Sequence, residues 1–171
     1  MQNLLSNLPP LLSLSIDERF MVEALKEAAC AYAEGEVPIG AVLVWSGRVI
    51  ARGHNQVEKL RDATAHAEML CLTAGAVALE DWRLLDTTLY CTLEPCSMCA
   101  GASILSRVKQ IVWGAPDTRQ GANGSWTDLF AQSHPIHNVE MRRGVLAAHS
   151  AELLRRFFQE QRKTKTVLDV E

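Results

Sequence analysis

The amino-acid sequence predicts one α/β domain in three layers, with helices on both faces of a sheet whose second half is largely parallel. Three observations support this fold class. Segments with apolar residues at helical spacing alternate with short β-rich runs. The chain has 171 residues, 48% of them hydrophobic, which suits a single domain with a substantial core. No internal repeat, low-complexity tract or domain-splitting linker interrupts this alternation.

The first elements predicted are a helix and a hairpin. Ser15 and Glu18 form a capping box that starts the helix, and Gly35 ends it. Between these positions, apolar residues recur at helical spacing: Phe20, Met21, Ala24, Leu25, Ala28 and Tyr32. Two β-rich runs follow, over 39–45 and 48–53, and they are separated by the turn residues Ser46 and Gly47.

The remaining elements alternate between helix and strand. Pro95 lies where the second of these helices would begin, and Gly114 is expected to end the strand that follows it. The segment 117–125 is glycine-rich and polar, so it is predicted to be a loop. In chain order we expect a helix over 65–78, a strand over 88–92, a helix over 96–106, a strand over 110–113, a weak strand over 139–142 and a closing helix over 149–163.

Residues 1–15 are interpreted as a leader, 16–165 as the folded domain and 166–171 as a tail. The leader is rich in leucine and contains Pro9-Pro10, but the first basic residue is Arg19. A signal peptide needs positive charge before its apolar stretch, and a transit peptide needs arginines. We therefore expect a mobile or loosely packed leader. No apolar run is long enough to cross a bilayer, so no membrane partner is expected and the cytoplasm is the expected location, with the plastid stroma not excluded.

Charge and cysteine content narrow the class of protein. The net charge of −3 gives no general sign of nucleic-acid binding, so any basic footprint must be local. Five cysteines, two of them in a C-x-x-C, fit metal-bound thiolates in a reducing compartment better than a disulfide framework. The other three, Cys30, Cys71 and Cys91, lie in apolar surroundings and are expected to be small core residues.

The most informative feature is a pair of short clusters, His66-Ala67-Glu68 and Pro95-Cys96-Ser97-Met98-Cys99. They supply three zinc ligands, His66, Cys96 and Cys99, and one spare carboxylate. Structural zinc is normally held by four protein ligands, whereas catalytic zinc keeps an open position for water. A lone C-x-x-C with a distant histidine is often a structural site, and a lone H-x-E means little. The joint pattern favours hydrolysis at a metal.

The spacing of the ligands predicts where the helices begin. His66 and Glu68 are two residues apart, so they can converge only if His66 lies at the very start of a helix, with Thr64 as a plausible cap. Cys96 likewise follows Pro95 at a helix start, where the helix dipole favours thiolates. Zinc lowers the pKa of a bound water, and Glu68 could take the water's proton and pass it to the substrate. These parts suffice for attack on an amidine-like ring carbon with loss of ammonia.

The pattern H-x-E…P-C-x-x-C is the established signature of the zinc-dependent base deaminases. Beyond it, nearly the whole chain, from about Ile16 to Lys163, resembles the tRNA-specific adenosine deaminases of bacteria and plastids, within the zinc-dependent cytidine/deoxycytidylate deaminase superfamily. The matching stretches are residues 36–42 (EVPIGAV), 53–55 (GHN), 63–68 (ATAHAE), 89–102 (LYCTLEPCSMCAGA), 114–117 (GAPD), Gly121-Ala122 and Gly124-Ser125.

The resemblance implies a cytidine-deaminase-like αβα fold with a five-stranded mixed sheet. It implies one zinc ion per subunit on His66, Cys96 and Cys99, with Glu68 as the proton shuttle. The implied reaction is conversion of adenosine to inosine at the wobble position of an arginine tRNA anticodon. The implied partners are a tRNA anticodon stem-loop and a second copy of the chain, since the RNA pocket in this family is completed by the other subunit.

The resemblance also implies substrate-binding residues. Asn55 would hydrogen-bond the purine, Ala67 would contribute to the same pocket, and Asp117 would lie beside the RNA backbone. Phe157 and Phe158 match an aromatic pair near the anticodon pocket. Simpler readings stay open: Asn55 as a turn former, Asp117 in an Asx turn, and one or both phenylalanines packing the helix on the sheet.

A basic strip in the last thirty residues has two interpretations. It is either a solvated helix face or a phosphate-contacting surface whose binding would be sensitive to salt. Its members are Arg142, Arg143, Arg155, Arg156, Arg162, Lys163 and Lys165.

Two other functions remain possible from the sequence. A free-base or nucleoside deaminase acting on guanine, cytosine or cytidine would use the same metal and glutamate, but it would not need segment 117–125 or the basic last helix. A non-catalytic zinc subunit that only helps a partner bind RNA could lose the acid/base residue, and the presence of Glu68 weighs against it.

Overall fold

The computed structural model describes Leu5 and residues 8–168. Five helices are present in this part of the chain: α1 (Ile16–Ala33), α2 (Val57–Leu60), α3 (Ala67–Leu79), α4 (Ser97–Leu105) and α5 (Ala147–Leu168). Five strands accompany them: β1 (Gly40–Trp45), β2 (Arg48–His54), β3 (Thr87–Leu93), β4 (Gln110–Ala115) and β5 (Glu140–Arg142). A short 3₁₀ turn, Leu11–Ser13, precedes α1. No helix in the described residues is both long and apolar enough to cross a membrane.

The strands form one mixed sheet in the order β2-β1-β3-β4-β5. The β1 strand pairs antiparallel with both β2 and β3, whereas the β3–β4 and β4–β5 pairs are parallel. The predicted five-stranded mixed sheet with a parallel second half is therefore confirmed. Because β1 runs against its neighbours, its first residue lies at the same edge of the sheet as the last residues of β2, β3 and β4. The chain enters the sheet at this edge before β1 and leaves it there after β2, β3 and β4.

Alternation along β1 divides the core into two layers. Val42 and Val44 pack towards α1 and α5, in a cluster with Met21, Leu25 and Leu153. The intervening residues of β1 point to the opposite face and pack towards α3, in a second cluster that includes Ala41, Leu43, Cys71, Leu72 and Leu89. The three-layer architecture follows from this alternation.

The capping box predicted for the first helix is confirmed. The backbone N–H of Glu18 donates to Ser15 Oγ, and the backbone N–H of Ser15 donates to the Glu18 carboxylate. Upstream of it, Leu14 is buried and Leu8 packs against the α1 cluster.

Other boundaries differ from the sequence-based prediction. The β4 strand does not end at Gly114 but continues to Ala115, because this glycine serves close packing. A Cβ there would lie 2.5 Å from Ser150 Oγ on α5 and 2.6 Å from the backbone oxygen of Thr92. The closing helix begins two residues earlier than expected and continues to Leu168. The four-residue helix α2 was not predicted, because one turn is too short to show a periodic pattern.

Candidate active site

The two ligand clusters lie at helix N-termini, as the spacing predicted. His66 is the N-cap of α3, Cys96 is the N-cap of α4, and Cys99 is the third residue of α4. Neither side chain makes an N-cap hydrogen bond, so both remain available to a ligand. Thr64 was predicted to cap α3, and this is wrong. Its backbone N–H and hydroxyl both donate to Asp62 Oδ1, in a turn that ends before the helix begins.

The three ligand atoms form an equilateral triangle. His66 Nδ1, Cys96 Sγ and Cys99 Sγ lie 3.6 Å from one another. Tetrahedral zinc, with Zn–S near 2.3 Å and Zn–N near 2.0–2.1 Å, requires separations of about 3.6–3.8 Å between its ligand atoms. Among the described residues, this group of possible metal ligands contains these three side chains and no fourth. The donor set therefore fits zinc with one coordination position open.

The contacts among the three ligand side chains shift their pKa values. The hydrogen bond between the two sulfurs, together with the contact to His66, lowers the pKa of Cys96 to about 4. The same hydrogen bond raises the pKa of Cys99, and burial raises it further. The contact with Cys96 also raises the pKa of His66, against the opposing effect of burial. Without a metal the two thiols therefore hold one proton between them, and a metal ion could replace that proton by binding both sulfurs.

Glu68 is the second residue of α3 and is only 4% exposed. Burial is the largest cause of its raised pKa, which brings the carboxyl towards the range in which it can both accept and donate a proton. It adjoins the ligand triangle without belonging to it. A buried carboxyl with a raised pKa, next to Cys99, is the kind of group that can exchange protons with a substrate.

A cavity of about 390 Å³ opens onto this site. Its lining includes His66, Glu68, Cys96 and Asn55. Residues 116–120 and Phe158 of α5 also line it. This volume falls within the usual range for small-molecule sites and suits a single nucleobase with part of its sugar.

Asn55 follows directly after β2 and is buried, with 4% of its surface exposed. Its side-chain Nδ2 donates to the Glu36 carboxylate over 3.1 Å, and its backbone N–H donates to the carbonyl of Ile39. The Asn55 amide is therefore held rigidly in the cavity wall, which a simple turn former would not require.

Asp117 lines the cavity but its carboxylate is engaged locally. Asp117 Oδ1 accepts hydrogen bonds from the backbone N–H groups of Arg119 and Gln120, which is an Asx turn. Asp117 thus shapes the loop that forms the wall of the cavity.

The two phenylalanines of α5 separate into different environments. Phe157 is 6% exposed and packs edge-on against Tyr32 and Phe158. Phe158 is 41% exposed and lines the cavity. Ala67 is fully buried as the first residue of α3, so its backbone N–H, rather than its methyl group, is what it could offer to a substrate.

Two further residues of the cavity wall, Glu36 and Glu94, were not singled out from the sequence. Each is 2% exposed. Glutamate side chains are rarely buried, so burial was not expected at either position. Glu36 lies shortly before the strand predicted over 39–45, and Glu94 lies shortly after the strand predicted over 88–92. The only sequence signal for them was their place in the matching stretches EVPIG and LEPC.

The basic strip is already partly paired within the chain. Arg142 contacts Asp17, Arg143 lies 3.5 Å from Asp128, and Arg155 and Arg156 both contact Glu152. All four arginines stay at least one-third exposed. Exposed ion pairs of this kind contribute little to stability, whereas the partner of Arg142, Asp17, is largely buried.

Comparisons with known proteins agree with this geometry. The family model of the cytidine and deoxycytidylate deaminase zinc-binding region matches residues 14–115. The tRNA-specific adenosine deaminase of Bacillus subtilis is 49% identical over 149 residues, covering 87% of this chain and 92% of that protein. The chloroplastic tRNA(adenine(34)) deaminase of Arabidopsis thaliana is 52% identical over 161 residues, and the chain spans 12% of that much longer protein.

Solved structures of deaminases also match this fold. One from a study of A-to-I editing by tRNA:A34 deaminases is 44% identical, with a TM-score of 0.76, and the match covers 80% of this chain and 99% of that one. Guanine deaminase from Nitrosomonas europaea is 26% identical, with a TM-score of 0.69 and 88% coverage of both chains.

The fold and the ligand set define a zinc-dependent base deaminase. Within that class, the chain belongs to the family of tRNA-specific adenosine deaminases.

Replacing Cys96 by Ser should remove the metal. We expect zinc content to fall from about one ion per chain to below about 0.1, because two ligands cannot hold the ion at micromolar protein concentrations. The matched control is Cys30→Ser, which changes a half-buried thiol outside the triangle and should leave the zinc content unchanged. Elemental analysis by mass spectrometry measures both. Full zinc content in the Cys96 variant would show that the ion is held elsewhere.

Proposed function

We propose that this protein hydrolytically deaminates adenosine to inosine at the wobble position of a tRNA anticodon, with arginine tRNA as its substrate. The observation that carries the proposal is the three-ligand triangle with an open corner, adjoined by the buried carboxylate of Glu68 inside a nucleobase-sized cavity. The identity to tRNA-specific adenosine deaminases supports the choice of substrate.

The reaction exchanges one bond at carbon 6 of adenine for another. Zinc held by His66, Cys96 and Cys99 would supply a water of lowered pKa. We assign Glu68 two proton transfers: it accepts one proton from the attacking water and delivers it to a ring nitrogen of the purine, and it then accepts the second proton of that water and delivers it to the departing amino group. The C6–N bond then breaks, ammonia leaves, and the water oxygen stays on the ring as the inosine carbonyl. The raised pKa of Glu68 suits both directions of transfer.

Several residues that line the cavity would contact the adenine base or its neighbours in the anticodon. We propose that Asn55, fixed by Glu36, hydrogen-bonds the purine, and that the Ala67 backbone N–H contacts the base from the start of α3. The ring of Phe158 in the cavity lining is free to stack on an anticodon nucleotide, as aromatic side chains do in splayed RNA loops. Phe157 supports it from the core, and Asp117 holds the loop that lies beside the RNA backbone.

A homodimer is part of the proposal. The face formed by α3 and α4 carries a groove of about 700 Å³, larger than the active-site cavity but without candidate catalytic groups. Large apolar side chains are exposed there: Val77 at 75%, Leu105 at 58% and Trp82 at 53%. Exposed apolar surface of this kind marks protein interfaces. A second copy of the chain would cover it.

The five cysteines are all free thiols. This supports a reducing compartment, and we place the enzyme in the cytoplasm or a plastid stroma.

The substrate assignment is tested by comparing RNA with free compounds. We expect the zinc-loaded protein to form inosine in an arginine-tRNA anticodon stem-loop with adenosine at the wobble position, since loop and α5 residues line the cavity. Nuclease digestion followed by chromatography detects the inosine. The control stem-loop carries guanosine at that position. Ammonia release from free guanine, cytosine or cytidine, without inosine in the RNA, would replace this proposal with a free-base or nucleoside deaminase.

The role of Glu68 is tested by Glu68→Gln. The variant keeps the size of the side chain but cannot accept the water's proton, so kcat on the stem-loop should fall by about 10²–10⁴-fold with zinc content intact. Single-turnover kinetics and elemental analysis give the two readouts. Unchanged kcat would remove Glu68 from the mechanism.

The dimer is tested by placing charge on the α3–α4 face. We expect Val77→Lys with Leu105→Lys to convert a dimer into a monomer, as measured by sedimentation velocity. The control is Leu12→Lys, which changes an exposed leucine in the turn before α1, the helix on the opposite face of the sheet. A wild-type protein that sediments as a monomer across the micromolar range would refute the dimer.

A further inference from the structure

We propose that Glu94 is a positioning residue, whose buried carboxylate fixes the glycine-rich loop 117–125 against the metal-ligand segment and so sets the affinity for the RNA substrate. Its effect on substrate affinity rests on the proposed function, whereas the structural effect on the loop does not.

The Glu94 carboxylate faces four hydrogen-bond donors, all from this loop. Oε1 accepts from the backbone N–H of Asn123 over 2.9 Å and from that of Ser125 over 3.2 Å. Oε2 accepts from the backbone N–H of Asp117 over 3.1 Å and from the Ser125 hydroxyl. Ionised carboxylate oxygens offer about four acceptor positions, so this carboxylate is fully used. It lies at the cavity wall but has no acceptor position left for a substrate, which makes its role one of positioning rather than catalysis.

The loop packs directly on this carboxylate. A Cβ at Gly121 would lie 2.4 Å from Glu94 Cδ and 2.6 Å from the backbone oxygen of Asp117. Only glycine allows this approach. The residue type at 121 is therefore explained by the position of the Glu94 side chain.

The same contacts join the loop to a zinc ligand. Glu94 is two residues before Cys96, and Cys96 forms a β-bridge with Gly121. The backbone N–H of Ala122 donates to the carbonyl of Pro95 over 2.8 Å. Asn123 extends the connection inwards, because its Oδ1 accepts from Trp113 Nε1 and Arg143 Nε. A shift of the loop would therefore displace the segment that carries Cys96. The hydrogen bonds of Glu94 to the loop oppose such a shift.

The part of the cavity lining that depends on Glu94 is the start of the glycine-rich loop. Residues 116–120 line the cavity, and their path is set by the Asp117 N–H bond to Glu94 and the Asx turn that follows. A glutamine at position 94 would offer one acceptor oxygen and an amide N–H₂ to four donors. At least one backbone N–H of the loop would then face another donor.

The experiment compares Glu94→Gln with the wild type in two independent readouts. In the first, hydrogen exchange followed by mass spectrometry should show at least about tenfold faster exchange in peptides covering 117–127, with α1 peptides unchanged. In the second, KM for the stem-loop should rise about tenfold with kcat within about threefold, because binding geometry is lost and the acid/base group is not. Zinc content should stay at the wild-type level.

Two further variants keep the test decisive. Ser125→Ala removes one donor from the same network and folds even if Glu94→Gln does not. It should raise KM by a smaller factor, and the double variant should be no worse than Glu94→Gln alone, since both act on one network. The matched control is Glu23→Gln, which removes a carboxylate that pairs with Lys26 and Arg52 on the outer edge of the sheet and should change neither KM nor loop exchange.

The outcomes separate this inference from the proposed function. Unchanged exchange over 117–127, unchanged KM, or loss of zinc with a collapse of kcat would each overturn the positioning role of Glu94. A wild-type protein that leaves the stem-loop untouched would refute the proposed function instead, and the exchange experiment would still report on the loop.

Discussion

The site depends on the meeting of two helix N-termini at one edge of the sheet. His66 and Cys96 are both N-cap residues with extended backbone conformations, and neither side chain makes an N-cap hydrogen bond. Because neither side chain caps a helix, an imidazole and a thiol can share a point with Cys99 one turn further along α4. The unpaired N–H groups and dipoles of both helices favour negative charge at that point. The geometry of the metal site thus follows from how two helices begin.

Three buried glutamates around this point have different surroundings and therefore different roles. Glu68 lies beside the metal ligands, where burial keeps its pKa high. Glu36 accepts from the Asn55 side chain and from the backbone N–H of Lys59, so it fixes one wall of the cavity. Glu94 accepts four donors from the loop and fixes another part of the cavity wall. Buried carboxylates are costly unless they are hydrogen-bonded, and both wall residues have such partners: Glu36 accepts two hydrogen bonds and Glu94 accepts four.

Much of this could be predicted from the sequence, for identifiable reasons. The capping box at Ser15, the β-rich run of β1 and the helix starts at His66 and Cys96 were predictable because each depends on residues close together in the sequence. Gly114 was wrongly predicted to end β4, because a glycine can mark either the end of a strand or a close contact between elements. The contact with Ser150, which shows that the second applies, depends on the tertiary fold. Glu36 and Glu94 were missed because burial of a charged side chain depends on donors distant in sequence. Phe157 shows the same limit, since its partner Tyr32 lies in α1. The Asx turn of Asp117 is local, and it was one of the two readings that the sequence left open.

The central claim is that zinc is held by three side chains of this chain and that its fourth position is open. A crystal structure of the zinc-loaded protein, with anomalous data collected on both sides of the zinc edge, tests it directly. We predict one anomalous peak per chain, about 2.0–2.4 Å from His66 Nδ1, Cys96 Sγ and Cys99 Sγ, with a non-protein oxygen as the fourth neighbour. A fourth protein ligand, or a peak away from this triangle, would contradict it.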